Sequence, residues 1–287
     1  MRHLLVILLL ATFPAAAAEP LWEASGFANP ESVLWDPAKK VLYVSNINGA
    51  PLDKDGNGYI SKLSQDGKLL AEKWAMGLDG PKGMAVFKGR LYVSDIDRLV
   101  EIDSNTGKIT KAYPAAGAKF LNDVTVDDKG AVYVSDMLTN TIWRLTGGKF
   151  ESWLMDPQLQ NPNGLKAESS RLVVAAWGPM TGEGFATKAP GGLKAVTFAD
   201  KMIRDLTLPF GNLDGLESDG KGGWLVSDWV AGTLFQLDRR GQPTTLIDLP
   251  PGSADIGTIP EKGIVLVPLM MDGKVQAYGI SPPSKTH

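Results

Sequence analysis

Leu121-Asn122-Asp123-Val124-Thr125-Val126-Asp127-Asp128-Lys129-Gly130-Ala131-Val132-Tyr133-Val134-Ser135-Asp136 is the stretch that decides the fold. It holds a polar anchor, a short apolar strand, a turn and a second strand rich in Val and Tyr that ends Val-Ser-Asp. The phrase occurs six times, its second strand often but not always ending Val-Ser-Asp. Its anchors are Glu31-Ser32, Lys82-Gly83, Asn122-Asp123, Asn163-Gly164, Asp214-Gly215 and Ala254-Asp255, spaced 51, 40, 41, 51 and 40 residues apart. A third strand follows each second one, as at 141–145 and 233–237, and a fourth precedes the next anchor, as at 150–154 and 244–248. Four short strands per period of about 40 to 45 residues, without helical periodicity, predict an all-β, six-bladed β-propeller.

The strand count also closes the ring. The last repeat stops at 274–278 with three strands, and 21–26 stands ready as its fourth, an arrangement that protects otherwise open sheet edges. One domain, residues 20–280, is expected, with 281–287 as a polar tail. If strand one of each blade lines the central channel from the top, all six anchors ring its upper mouth. The loops after each second strand then share that face. Two of them, 46–58 and 176–192, are long enough to account for the 51-residue spacings, and long loops on a compact repeat usually carry function. Trp177, Met180 and Phe185 would line the second loop as an apolar wall or simply pack it down. Asn46, Asp95, Asp136 and Asp228, which end four of the second strands, are read as acceptors tying down the following turn.

Composition narrows the chemistry. The chain has 287 residues, 44% of them hydrophobic, no cysteine and two histidines, His3 and His287, at its extremes. Disulfides, Cys or His zinc sites and His-based nucleophile systems are therefore excluded from the folded body. Met1-Arg2-His3, the apolar run 4–10 and the alanines at 15–18 read as a secretory signal peptide, residues 1–18, with an A-x-A cleavage site before Glu19. The run is too short to span a bilayer, and no later segment is a spanning candidate. Removing the leader takes the net charge from -3 to -4, which gives no case for nucleic acid or an anionic membrane. Export to a bacterial periplasm is the expected location.

Among the anchors, Glu31, Asn122, Asn163 and Asp214 present two carboxylates and two amide carbonyls to the channel axis, an all-oxygen set suited to Ca²⁺ or another hard divalent cation. Asn-Gly and Asp-Gly are also favoured turn dipeptides, so a purely structural role stays open.

Four segments, Pro30-Glu31-Ser32-Val33-Leu34-Trp35-Asp36-Pro37, Leu121 to Asp127, Pro162-Asn163-Gly164-Leu165 and Leu213-Asp214-Gly215-Leu216, resemble the metal-site segments of the gluconolactonase and senescence-marker-protein (regucalcin-like) family. Paraoxonase and diisopropyl-fluorophosphatase are its wider kin. The resemblance implies a six-bladed propeller in which Glu31, Asn163 and Asp214 bind a divalent cation, with Asn122 contributing to the metal, its water or the substrate. Ca²⁺ is the first choice, with Mn²⁺, Mg²⁺ and Zn²⁺ as alternatives. It also implies hydrolysis of a lactone, ester or related electrophile. Asp214 would then act as base or nucleophile, Asp123 would assist or serve as a turn residue, and a water activated at the cation is the equal alternative.

Two departures argue against sugar lactones. Phe120 stands where sugar-lactone members carry arginine, and Asn140 where they carry glutamate. Lys82 would compete with a cation, orient an anionic substrate or snorkel to solvent; with Asn122 and Trp177 it is assigned to substrate binding. The segment 53–60 fits the first eight positions of a calcium loop but has Ser64 in place of the twelfth-position glutamate, so a tight turn ordering the loop is the favoured reading. The alternative to a hydrolase is a non-catalytic propeller that binds a small ligand or a partner protein at its top face.

Overall fold

The structure is a computed structural model describing residues 18–280. The 281–287 tail, and all of the leader except Ala18, lie outside the described residues. Six four-stranded antiparallel sheets form the blades; five run from the channel outward in chain order, and the sixth takes its outermost strand from the N-terminal end. The innermost strands are Pro30–Asp36, Pro81–Phe87, Leu121–Val126, Pro162–Ala167, Leu213–Ser218 and Gly257–Ile259, and neighbouring ones pack against each other around the axis. Trp22–Ser25 pairs antiparallel with Lys274–Gly279, placing Trp22 opposite Ala277. The last blade thus closes as the strand count requires.

The second strands read as unbroken apolar runs because both faces of each blade are covered. Val132–Asp136 and Trp224–Asp228 are buried along their whole length, whereas the outermost strands Ile109–Pro114 and Pro243–Asp248 are mostly exposed. Among the described residues six core clusters lie one in each gap between blades, and a seventh, Phe120, Met137 and Trp177, lies over the channel mouth. Tyr43, Ile60, Leu91 and Val93 fill the gap between blades one and two. Val33, Leu42, Leu266 and Val275 fill the one across the closure. Each such side chain contributes about 1.5–3 kcal/mol relative to exposure.

Every anchor sits on a bulge. In blades one to five the register slips by one residue at the anchor, for example between Leu121/Val124 and Leu213/Leu216, so that two residues oppose one on the second strand. In blade six Ser253 bridges Leu269 and Gly257 pairs with Leu266, which leaves the same extra residue. A bulge re-aims side chains. Here the first residue of the pair faces the upper channel and the second faces the lower.

The Asn-Gly and Asp-Gly pairs are therefore not turns. A Cβ on Gly164 would lie 2.2 Å from the Asp214 carbonyl oxygen, and one on Gly215 would lie 2.3 Å from the Ile256 nitrogen. Glycine stands at these two positions because the next blade's backbone passes through the space a side chain would need.

The Val-Ser-Asp endings hold this arrangement in place. Ser135 Oγ accepts the Asp123 N–H at 2.9 Å and donates to the Asn163 carbonyl of the next blade at 2.7 Å. Ser227 does the same between Gly215 and Ala254. The terminal acids are structural, as expected, but their main partners come earlier in the chain than the following turn. Asp95 accepts from the N–H groups of Asp79 and Gly80, and Asp136 from those of Lys119 and Phe120, so each fixes the loop leading into its own anchor. Asp228 serves both sides, accepting from Asn212, Val230 and Ala231.

Candidate active site

The bulges divide the channel into two chambers. The upper one is a cavity of about 280 Å³ whose floor is Glu31, Lys82, Asn122, Asn163 and Asp214. All five sequence-predicted anchor residues come together there. Trp177, also predicted, stands in the wall with Phe185, Phe120, Trp229, Met137 and Met270. Trp177 donates its indole N–H to the Phe185 carbonyl at 2.9 Å, and its ring lies 6.2 Å from Trp229 and 6.4 Å from Phe185, an interlocked aromatic wall. Met180 packs behind this wall rather than lining the cavity.

The floor carries unsatisfied carboxylates. Glu31 Oε2 and Asp214 Oδ1 are buried and have no hydrogen-bond partner. Burial is the main force pushing both groups well above the usual carboxylate range. Neighbouring acids, Asp214 and Asp255 for Glu31 and Asp255 for Asp214, add to it, and the Asn163 amide pulls Asp214 back. Ionising these groups where they stand requires a counter-charge. Among the described residues no three His, Cys, Asp or Glu side chains converge on a metal position, so a cation here would draw on the Asn122 and Asn163 amide oxygens as well as the two carboxylates. That donor set, hard oxygen with two orphaned anionic atoms, fits a divalent cation.

Lys82 does not snorkel. It is 1% exposed, and its ammonium donates to the carbonyls of Gly80 at 2.9 Å and Pro51 at 3.1 Å. The Phe120 ring centroid lies 4.5 Å away, a cation–π contact. Burial pushes the Lys82 pKa down to about 8 against the opposing pull of Glu31 and Asp95. Phe120, which replaces an arginine of the sugar-lactone pattern, is thus a platform for a lysine. Asn140, at the second departure, accepts the Asn161 N–H at 2.6 Å with a left-handed backbone (φ 52°), and is a loop clamp outside the cavity.

Asp123 is not brought to the upper chamber. As the second residue of its bulge it lines the lower cavity, about 180 Å³, with Ser32, Asp255, Lys166 and Glu217. Its oxygens accept the N–H groups of Leu165 and Val124, at 2.5 and 2.6 Å, and Asp255 accepts from the Ser32 hydroxyl at 2.5 Å. The sequence assigned Asp123 an assisting catalytic role or a turn role; the structure gives it a backbone-holding one, in a bulge rather than a turn. The 53–60 loop is likewise occupied with itself. Asp55 accepts from the Asn57 backbone and side chain, and Gly56 donates to Asp79, an Asx turn that orders the loop.

Sequence reading missed most of the wall. Ile47, Met137, Trp177, Trp229 and Met270 are each the residue immediately after a second strand, and all five line the upper cavity. The sixth, Ile96, is buried nearby. A large apolar residue at the same place in every repeat was the available signal.

An oxygen-rich floor beneath an aromatic wall, at the top of a six-bladed channel, defines a small-molecule site. The SMP-30/Gluconolactonase/LRE-like family profile matches residues 29–257, and the chain belongs to that family of gluconolactonase-like propellers. Among solved structures, it is similar to a gluconolactonase from Xanthomonas campestris, with 17% identity, a TM-score of 0.67, and 90% of this chain and 88% of that one covered. It is also similar to a putative gluconolactonase, with 20% identity, a TM-score of 0.64 and coverage of 94% and 96%. A third is a calcium-binding regucalcin from Agrobacterium tumefaciens, with 16% identity, a TM-score of 0.65 and coverage of 94% and 96%. At these identities the likenesses speak for the fold. No curated protein matches the chain in sequence.

Proposed function

We propose that this protein is an exported, divalent-cation-dependent hydrolase of a small lactone or ester. The observation that carries the reading is the pair of orphaned, buried oxygens, Glu31 Oε2 and Asp214 Oδ1, on the floor of an apolar-walled cavity. Glu31, Asn122, Asn163 and Asp214 would hold the cation, with Ca²⁺ the first choice given the regucalcin likeness. Bound there, it would supply Lewis acidity toward the substrate's carbonyl oxygen. Asp214 would take the proton from the water that attacks the carbonyl carbon and return it to the departing alkoxide as the acyl C–O bond breaks, which releases a hydroxy acid from a lactone or an acid and an alcohol from an ester. Asn122 orients the carbonyl from the floor. Trp177, Phe185 and Trp229 hold the substrate body and keep bulk water off the reacting centre. With about 280 Å³ available, near the lower end of small-molecule sites, the substrate is compact.

Purified protein stripped with chelator should lose hydrolysis of aliphatic γ-lactones and aryl esters and regain it with Ca²⁺ or Mn²⁺. Undiminished turnover after stripping refutes the metal-dependent reading. Export rests on the leader at residues 1–18. Mass spectrometry of protein recovered from a periplasmic fraction should find Glu19 as the first residue, and an intact Met1 there would refute processing.

A further inference from the structure

We infer that the upper chamber selects substrates that join an apolar body to a carboxylate, and that Lys82 is the residue that reads the carboxylate. This rests on the hydrolase reading and adds the substrate class.

An ammonium has three N–H donors. Two of those on Lys82 go to the Gly80 and Pro51 carbonyls, and among the described residues no acceptor meets the third. Among those residues no carboxylate lies within 4.0 Å of the ammonium either, although Glu31 stands on the same floor. Lys82 is thus a buried cation that lines the cavity and has one donor without a hydrogen-bond acceptor.

Charge counting points the same way. With a divalent cation in the oxygen ring, ionised Glu31 and Asp214, the Lys82 ammonium and the cation would together carry one positive charge. A chamber that is cationic when loaded, in a low-dielectric wall, favours an anionic ligand over its neutral counterpart.

The walls set the other half of the substrate. Phe120 is covered on one side by the Lys82 ammonium and packs against Phe185 at 5.4 Å, so aromatic surface begins directly beside the charge. Around it the lining is largely apolar: Met270 has no donor and the Trp177 N–H is already bonded to the Phe185 carbonyl, which leaves the Trp229 indole N–H as the one donor these three residues can offer. A polyhydroxylated lactone would leave most of its hydroxyls unpaired against these walls, whereas an alkyl or aryl chain would not.

The test uses a matched pair: a γ-lactone carrying a butyl chain and a carboxylate, and the same lactone with a neutral carboxamide. Hydrolysis of both is measured on the Ca²⁺-loaded protein. Binding of the corresponding cyclopentanones, which have no ring C–O bond to break, is measured by calorimetry. The wild-type protein should favour the carboxylate by about tenfold or more in both readouts, and Lys82→Met should bring that ratio down to near one. Lys82→Gln, which keeps a donor for the two carbonyls, should do the same if the methionine variant fails to fold. A wild-type ratio at or below one, or a ratio unchanged in a folded Lys82 variant, overturns the inference. Hydrolysis of neutral lactones without a carboxylate preference overturns it alone and leaves the hydrolase reading standing. Absence of hydrolysis of every lactone, with the carboxylate cyclopentanone still bound preferentially, overturns the hydrolase reading and supports Lys82 as an anion reader.

Discussion

The two chambers of the channel are built from the same bulges and differ in what their carboxylates find. In the lower chamber Asp123 meets the Leu165 and Val124 N–H groups, Asp255 meets Ser32, and Lys166 pairs with Glu217. In the upper chamber Glu31 and Asp214 each keep a buried oxygen with no partner. Acidity alone therefore does not mark the site, since both chambers are rich in it. What separates them is satisfaction: the lower acids are met by backbone N–H groups, a serine hydroxyl and a lysine, and the upper set has been left for something the chain does not supply.

The sharpest way to break that contrast is to exchange the fates of one acid from each chamber. Asp214→Ala should lose the bound cation, read by metal analysis, and about a thousandfold in kcat/KM toward a γ-lactone, or about 4 kcal/mol of transition-state stabilisation. Asp123→Ala should do the reverse. Stranding two buried N–H groups costs about 3 kcal/mol in urea unfolding, while the folded fraction keeps its cation. Normal stability together with lost turnover in that variant would return Asp123 to the active site.

A smaller effect probes how the two chambers are coupled. Gly164→Ala places a Cβ against the Asp214 carbonyl, so it should cost about 2 kcal/mol and also weaken cation affinity by shifting Asp214. Affinity unchanged at reduced stability would show that the floor tolerates movement of its bulge. Smallest is Ser135→Ala, expected at about 1 kcal/mol in the same unfolding measurement. Blade four already has Ala175 in the equivalent place, so the fold can do without this hydroxyl. A loss as large as that for Asp123→Ala would make the serine staple, not the aspartate, the main support of the lower chamber.

Much of this was legible in the sequence, and for a definite reason. Six copies of one phrase allow six positions to be compared within a single chain, so the blades, their closure by Trp22–Ser25 and the shared floor of Glu31, Lys82, Asn122, Asn163 and Asp214 follow from spacing. The bulge was not legible. It takes an extra residue into one strand without any distinctive residue type, and it sends Asn122 up and Asp123 down although they are neighbours in sequence. The fate of Phe120 was hidden for a different reason. Its partner Lys82 lies in another blade, and spacing along the chain carries no record of which residues face each other across the channel mouth.

The terminal pairing has a consequence for the order of assembly. Trp22 is hydrogen-bonded beside Ala277, so the ring cannot be sealed until nearly the whole chain exists. Until then Lys274–Gly279 is an unprotected template for any extended segment, and the N-terminal strand is a free donor. The slowest event in forming this molecule should be this longest-range contact, and two half-finished copies exchanging their first strands should be its characteristic misassembly.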